Sequence, residues 1–229
     1  MTYTQQTKMV AEQEEWNRVS AELEEENLKL MSYDNTLFSL FGDVKGKNVL
    51  DYGAGPGVLA LATAKLGANM KVWDINTELR QKSAEKIGVE NVYNSLEEIP
   101  KNFFDIIICN LVVCIVPEDE VKDIMINIKS ELKEDGFALV GFCNPKIFNV
   151  KESNLDFRFP TGASYETNHQ YKKVKKEGLY EIIETHRSVE WYEKLFIELG
   201  LKVEGKYYTP KYQLSGKEIE DFIIFKIVK

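Results

Sequence analysis

The sequence predicts an α/β protein: a doubly wound, mostly parallel sheet of seven strands, with a helical lid before it and an insertion after its fifth strand. Three observations predict it. Between residues 46 and 144, apolar runs of strand length alternate with amphipathic runs of helix length, the rhythm of right-handed βαβ crossovers. Gly53, Gly55 and Gly57 fall where the first strand must become the first helix. After Asn144 the alternation stops, and a polar, aromatic stretch runs to residue 186.

Each element has a local cause. Residues 5–32 carry neither Pro nor Gly and predict a helix, with Met9, Trp16, Val19, Leu23, Leu28 and Leu30 as a ragged apolar stripe. A shorter helix is expected within "NTLFSLFGDVKG" (35–46). "NVLDYGA" (48–54) reads as a buried strand and "GVLALATAKLG" (57–67) as a helix closed by Gly67. "MKVWDI" (70–75) is a second strand. "TELRQKSAEKIG" (77–88) is a helix with Thr77 as its N-cap and Gly88 as its stop. "ENVYNS" (90–95) reads as a short third strand. "FFDIIICNLVV" (103–113) is a continuous apolar run, the mark of a central strand covered on both faces. "PEDEVKDIMINIKSELKEDG" (117–136) is a helix, its acids early and its lysines late as the helix dipole prefers. "GFALVGFCN" (136–144) is the fifth strand.

Beyond it, "RFPTGASYETNHQYKKV" (158–174) predicts a loop followed by an extended hairpin. A helix "SVEWYEKLFIELG" (188–200) follows with Ser188 as N-cap, and two strands, "KVEGKYYTP" (202–210) and "FIIFKIVK" (222–229), close the chain. The expected organisation is one domain: residues 1–45 as a helical cap, 46–144 as a binding core, 145–186 as a covering insertion, and 187–229 as the closing helix and strands.

Composition bounds the function. At 229 residues with 44% apolar and 29% charged side chains, the chain has the make-up of a soluble globular protein. Its net charge of −8 disfavours a phosphate-tracking surface; the one basic cluster is "YKKVKKEG" (171–178). Cys109, Cys114 and Cys143 lie in apolar stretches without metal-ligand spacing. They read as small buried hydrophobes, so a cytoplasmic location and no metal are expected. No signal-peptide pattern or membrane-spanning run is seen.

The glycine turn indicates a ligand. In an open parallel sheet, ligands bind beyond the carboxyl ends of the strands. Glycines there adopt positive φ and let a ligand approach bare backbone, and the following helix N-terminus favours negative charge. Asp74 ends the second strand, where a carboxylate can accept both ribose hydroxyls. The spacing is GxGxG rather than the GxGxxG of dinucleotide sites, and no GxxxxGK[ST] is present. Asp51, two residues before the first glycine, would repel a pyrophosphate and attract an ammonium or sulfonium. These residues favour an adenosine-bearing cation over NAD or ATP.

"VLDYGAGPG" together with Asp74 resembles the class I S-adenosylmethionine-dependent methyltransferases, of small-molecule type, which are Rossmann-like. The likeness runs from about Trp16 to the C-terminus, and "WNRVSAEL" is similar to the start of that family's N-terminal cap. The resemblance implies a reversed C-terminal strand, and S-adenosylmethionine as cofactor with S-adenosylhomocysteine as product. It also implies that Gly53, Ala54, Gly55 and Gly57 line the methionine and ribose, and that Asp51 holds the amino group through water. Asp74 would bind the ribose hydroxyls and Ile75 would pack on adenine. Asn110 and Leu111 would lie beside the transferable methyl. Where many members carry an aspartate for the adenine amino group, this sequence has Ser95, followed by Leu96.

The acceptor is less constrained. Methyl transfer from a sulfonium is an in-line displacement that relies on alignment, with a base only where the acceptor must lose a proton. The two histidines, His169 and His186, are the candidate bases, and "HRSVEWY" (186–192) resembles the "HR…Y" entry of many small-molecule members. Tyr165, Tyr171 and Tyr192 are candidate pocket walls. "CNLVVCIVP" (109–117) stands where amino-directed nucleobase methyltransferases carry [DN]PP[YFW]. The expected partner is thus a small-molecule acceptor, with the protein a monomer or homodimer, no membrane, and nucleic acid disfavoured. An RNA or protein methyltransferase docking its acceptor on "YKKVKK", and a non-catalytic S-adenosylmethionine-binding sensor or partner subunit, are the alternatives.

Overall fold

The computed structural model describes residues 31–148, 150, 156–174 and 181–229. Strands β1 (Asn48–Tyr52), β2 (Asn69–Trp73), β3 (Phe104–Asn110) and β4 (Leu132–Cys143) pair in parallel in the order β2-β1-β3-β4. The sheet is completed by the last two of its six strands, β11 (Phe222–Val228) and β8 (Lys202–Tyr208). β11 runs antiparallel to both β4 and β8. The fold class is therefore the expected one, a mostly parallel α/β sheet with a reversed C-terminal strand.

The apolar run in β3 explains why this strand is central. Ile106 and Ile108 face a cluster with Val49, Val72, Leu139 and Ile224, which Tyr33 and Leu37 of helix α1 (Met31–Ser39) and Ala60 of α2 (Val58–Lys65) cover. Ile107 and Cys109 face the opposite side with Leu50, Val140 and Phe225. That side is covered by Val121, Met125 and Ile128 of α4 (Glu118–Glu131) and by Tyr192, Leu195 and Phe196 of α5 (Val189–Glu198). Period-two alternation sends neighbouring residues to opposite faces, so a run of consecutive isoleucines fits only a strand buried on both. Each fully buried side chain of this kind contributes about 2 kcal/mol.

Four expectations need correction. The third strand is not formed: Val89–Asn91 is a 3-10 turn, and only Val92 bridges β2, in parallel, at Val72. Asn91 explains the loss, because its amide donates to the Ile87 carbonyl, and such local side-chain bonds compete with a ladder. The helix expected to reach Gly136 stops at Glu131. There the Asn102 and Phe103 N–H groups take the carbonyls of Ser130 and Glu131, and residues 133–136 form the irregular start of β4. Helix α3 (Thr77–Ile87) is capped by Asn76 rather than Thr77: the Asn76 side chain accepts from the N–H groups of Glu78 and Leu79. A hairpin of β9 (Tyr212–Leu214) and β10 (Lys217–Ile219) lies between the closing strands, where no structure was expected. Ser188 does cap α5, accepting from Trp191 N–H at 3.2 Å. The N-terminal helix, apart from its last two positions, lies outside the described residues, as does "WNRVSAEL".

The expected hairpin after β4 is a separate three-stranded antiparallel sheet of β5 (Asp156–Arg158), β6 (His169–Val174) and β7 (Glu181–His186). It is followed directly by α5. Among the described residues, no helix is long and apolar enough to cross a membrane.

Candidate active site

Two cavities open at the carboxyl ends of the parallel strands, a cleft beyond β2 and a chamber beyond β4. The glycine crevice, where β1 turns into α2, adjoins the cleft through the bond from Gly55 N–H to Asp74. Gly53 has φ +81° and a Cβ there would collide with the Val112 side chain. Gly57, the N-cap of α2, has φ +77°, and a Cβ would lie 2.7 Å from Ser83 Oγ and 3.0 Å from its Cα. Both positions thus exclude side chains for two reasons, backbone conformation and close approach. Gly55 faces open space. The turn is tied to β2: the N–H groups of Gly53 and Ala54 donate to Trp73 O at 2.7 and 3.1 Å.

Two acids flank the turn. Asp74 is buried, and its carboxylate accepts from Gly55 N–H and Asn76 N–H, both at 2.8 Å. Burial raises its pKa, and these two backbone donors and Arg80 oppose that shift. Asp51 is 2% exposed, and its Oδ2 has no hydrogen-bond partner among the described residues. Burial first and the nearby Asp74 charge second push its pKa up to about 7. A buried carboxyl with an unpartnered oxygen is a costly arrangement, and a bound cation would relieve it.

Beside Asp74 lies an open cleft of about 330 Å³ lined by Trp73, Ile75, Arg80, Asn94, Ser95, Leu96 and Glu97. Ile75, expected to pack on a base, is 57% exposed here. Three of the expected residues, Ile75, Ser95 and Leu96, therefore share one cavity. Trp73 and Arg80 escaped the sequence reading. The available signal for Arg80 was its place in the first turn of α3, from which it donates to the carbonyls of Asp74 and Ile75 at 2.6 and 3.1 Å.

Asn110 ends β3 with its Oδ1 buried and unpartnered among the described residues. Leu111 follows with φ +58°, unusual for a leucine, and its N–H donates to Gly141 O at 2.8 Å. This bend starts a segment that runs between the two cavities. Val112 meets Gly53, and Cys114 lines the second cavity. Arg187, 2% exposed, holds the segment by donating to Val113 O at 2.8 Å and Val116 O at 2.7 Å, while its guanidinium stacks 5.1 Å over Trp191.

The second cavity is a narrow chamber of about 20 Å³ beyond the end of β4, room for about one water molecule. Its wall includes Phe142, Cys143 and Asn144 from β4 and its end, Phe148 and Phe159 beyond, Tyr171 from β6, His186 and Arg187, and Tyr192 from α5. His186 is buried, and its Nε2 lies 2.8 Å from Tyr165 O. Burial lowers its pKa, and the neighbouring His169 adds to that. The ring of His169 stacks on that of His186 at 4.9 Å and 21°. Its Nδ1 is 2.7 Å from Thr167 O, and its Nε2 is buried without a partner among the described residues. The two histidines thus come together, directly opposed in the β6–β7 register, but in the chamber region rather than the crevice. Of the basic stretch at 171–176, Lys172 is exposed, Lys173 turns inward and pairs with Glu184, and Lys175 and Lys176 lie outside the described residues. Among the described residues, no cluster of three or more His, Cys, Asp or Glu could hold a metal ion.

A family model described as a methyltransferase domain matches residues 22–191. The chain belongs to that family. The match takes in the glycine turn, both acids, the segment after β3 and the two histidines of this methyltransferase-family chain. Among curated relatives, a ribosomal protein L11 methyltransferase of Vibrio campbellii is 34% identical over 50% of this chain and 40% of its own length. A ubiquinone biosynthesis O-methyltransferase of Rickettsia bellii is 25% identical over 64% of this chain and 63% of its own. The chain thus spans only part of the length of these relatives. Among solved structures, a protein of Listeria monocytogenes described as a putative S-adenosylmethionine-dependent methyltransferase superposes with a TM-score of 0.64. It is 16% identical and covers 88% of this chain and 99% of its own, a likeness of fold.

Proposed function

We propose that this chain, as an S-adenosylmethionine-dependent methyltransferase, transfers the methyl group to a small-molecule acceptor that docks beside the histidines beyond β4. The observation that carries the cofactor half is Asp51: a buried carboxyl with an unpartnered oxygen beside bare glycine backbone fits an amino group or sulfonium and rejects a pyrophosphate. Asp51 would take the amino group, Asp74 the ribose hydroxyls with the lone pairs its two backbone donors leave over, and Ile75 with Ser95 and Leu96 the adenine. Gly53, Ala54, Gly55 and Gly57 would line the methionine and ribose. Asn110 Oδ1 and Leu111 would lie beside the methyl group. S-adenosylmethionine would supply a methyl on a sulfonium, whose sulfur leaves as a neutral thioether without further activation.

The chain's own residues then align the acceptor and, where it must lose a proton, remove it. Arg187 fixes the segment from Val113 to Val116 that separates crevice from chamber, which supports alignment of the two ligands. His186 is our candidate base. With its Nε2–H given to Tyr165 O, the lone pair lies on Nδ1, and burial keeps the ring neutral and able to accept a proton near pH 7. His169, stacked behind, disfavours a second positive charge at the same place.

The small-molecule reading is supported by the inward turn of Lys173, which removes one cation from the basic stretch. Three free cysteines support a reducing, cytoplasmic location. A protein acceptor has one point in its favour, the likeness to the ribosomal protein L11 methyltransferase. The test is a metabolite extract incubated with the protein and methyl-labelled S-adenosylmethionine. Label in a low-mass product supports the proposal, and label only in protein or RNA overturns the acceptor class.

A further inference from the structure

The turn after β2 carries two groups proposed to hold the nucleoside, the Asp74 carboxylate and the Ile75 side chain. Ile75 is 57% exposed, so packing does not fix where its side chain lies. Its main chain has to, and that main chain is tied to helix α3. Arg80 Nη1 donates to Asp74 O at 2.6 Å and to Ile75 O at 3.1 Å, and Nη2 donates to Thr77 Oγ1 at 2.9 Å. The Arg80 N–H donates to Asn76 O at 3.0 Å.

The same helix face holds the glycine turn. Ser83 Oγ donates to Gly55 O at 2.9 Å, and positions 76, 80 and 83 follow the i, i+4, i+7 spacing of one face. Asn76 caps α3, Arg80 fastens the turn after β2, and Ser83 fastens the turn after β1. The two turns also meet directly, through the bond from Gly55 N–H to Asp74 Oδ2. Ligand-facing groups on both turns thus take their positions from α3.

Arg80 has the stronger hold. A guanidinium presents its donors in a rigid planar fork, and bonds from an ionised donor are roughly twice as strong as neutral ones. Two successive carbonyls bonded to one fork turn two successive peptide planes toward α3, which sets the directions of the Asp74 and Ile75 side chains. Arg80 is half-buried and shares the wall of the cleft with Ile75, Ser95 and Leu96.

We propose that Arg80 is a positioning residue for cofactor binding, holding the Asp74 carboxylate and Ile75 in their ligand-binding arrangement through the carbonyls of residues 74 and 75. This rests on the proposed place of the ribose on Asp74. With Arg80 present the turn is ordered before the nucleoside arrives. Without it the ordering accompanies binding and lowers the affinity.

The test is a double-mutant cycle on the full chain, read by calorimetry with S-adenosylhomocysteine at pH 8, with thermal unfolding of each variant alongside. Arg80→Met should weaken binding about tenfold in the wild-type background, the size of one charged hydrogen bond. In Asp74→Ala the same change should weaken it by no more than about threefold, because the main group that Arg80 aims is gone. A purely structural Arg80, or one that touches the ligand directly, gives equal factors in both backgrounds. Equal factors overturn the proposal, as does Arg80→Met binding within about twofold of wild type. Should Arg80→Met not fold, Arg80→Lys serves in its place. It keeps the charge, but its single nitrogen cannot reproduce the fork, so a loss of about threefold is expected and wild-type affinity overturns the proposal. If Asp74→Ala alone binds like wild type, the ribose assignment fails, and the positioning role fails with it.

Discussion

Replacing Asp51 by Asn should stabilise the ligand-free protein and weaken its cofactor binding. The native carboxyl is buried and lacks a partner for Oδ2, and its pKa is raised from the ordinary 3.8 to about 7. A raised carboxyl pKa means the folded state holds the proton more tightly than the unfolded one, so wild-type stability falls as pH rises from about 4 to about 7 and stays low above that. At pH 8 the full cost of the ionised form is about 4 kcal/mol, taking about 1.4 kcal/mol per pH unit of difference. Local relaxation removes part of this. A net gain of about 2 kcal/mol for Asp51→Asn corresponds to a midpoint about 4–8 °C higher for a chain of this size. Differential scanning fluorimetry of the ligand-free protein at pH 5 and pH 8 reads it directly. The gain should be full at pH 8 and clearly smaller at pH 5, where only about 1.2 of about 3.2 pH units of difference act, because the folded carboxyl is protonated while the unfolded one is already ionised. Calorimetry with S-adenosylhomocysteine at pH 8 should show at least about tenfold weaker binding by the variant, the loss of about one charged hydrogen bond. A variant no more stable than wild type at pH 8, or equally stabilised at both pH values, would refute the reasoning.

Four further outcomes are expected. Asp74→Ala should weaken S-adenosylhomocysteine binding by about 1–3 kcal/mol, and unchanged affinity by calorimetry would remove the ribose assignment. His186→Ala, assayed once an acceptor is known, should lower kcat by about 10²–10⁴ while the cofactor Kd stays within about twofold; wild-type turnover would exclude it as the base. Gly57→Ala should cost at least about 1–2 kcal/mol for its positive φ alone, read as a lower chemical-denaturation midpoint. Glu131, at the end of α4, is buried with Lys101 Nζ at 3.6 Å, and burial raises its pKa to about 7. Glu131→Gln should therefore stabilise the fold by about 1–3 kcal/mol above pH 7 and by little at pH 5; a flat difference across that range would contradict the assignment.

The parts of this protein that sequence reveals are those whose cause is local. Asp51, the glycines and Asp74 sit within one strand–turn–helix–strand unit, so their spacing carries their geometry. Isoleucines 106–108 announce a central strand because no half-exposed strand tolerates them. The misreadings arose where neighbours in space decide. Thr77 and Asn76 are both good caps, and only the backbone path selects Asn76. The third strand has suitable residues at Val92 and Tyr93, yet Asn91 bonds the preceding helix and leaves a single bridge. Nothing in "YKKVKK" says that Lys173 points inward, since Glu184 reaches it only across the β6–β7 ladder. Nothing near Arg187 in the chain shows what it holds until the carbonyls of Val113 and Val116 are brought to it.

A crystal structure of the protein with S-adenosylhomocysteine tests the central claim most directly. The account predicts the ribose hydroxyls on Asp74, the amino group on the side of Asp51 and Gly53, and the adenine in the cleft of Ile75, Ser95 and Leu96. Density for the ligand elsewhere, or a crevice that stays shut at saturating ligand, would contradict it.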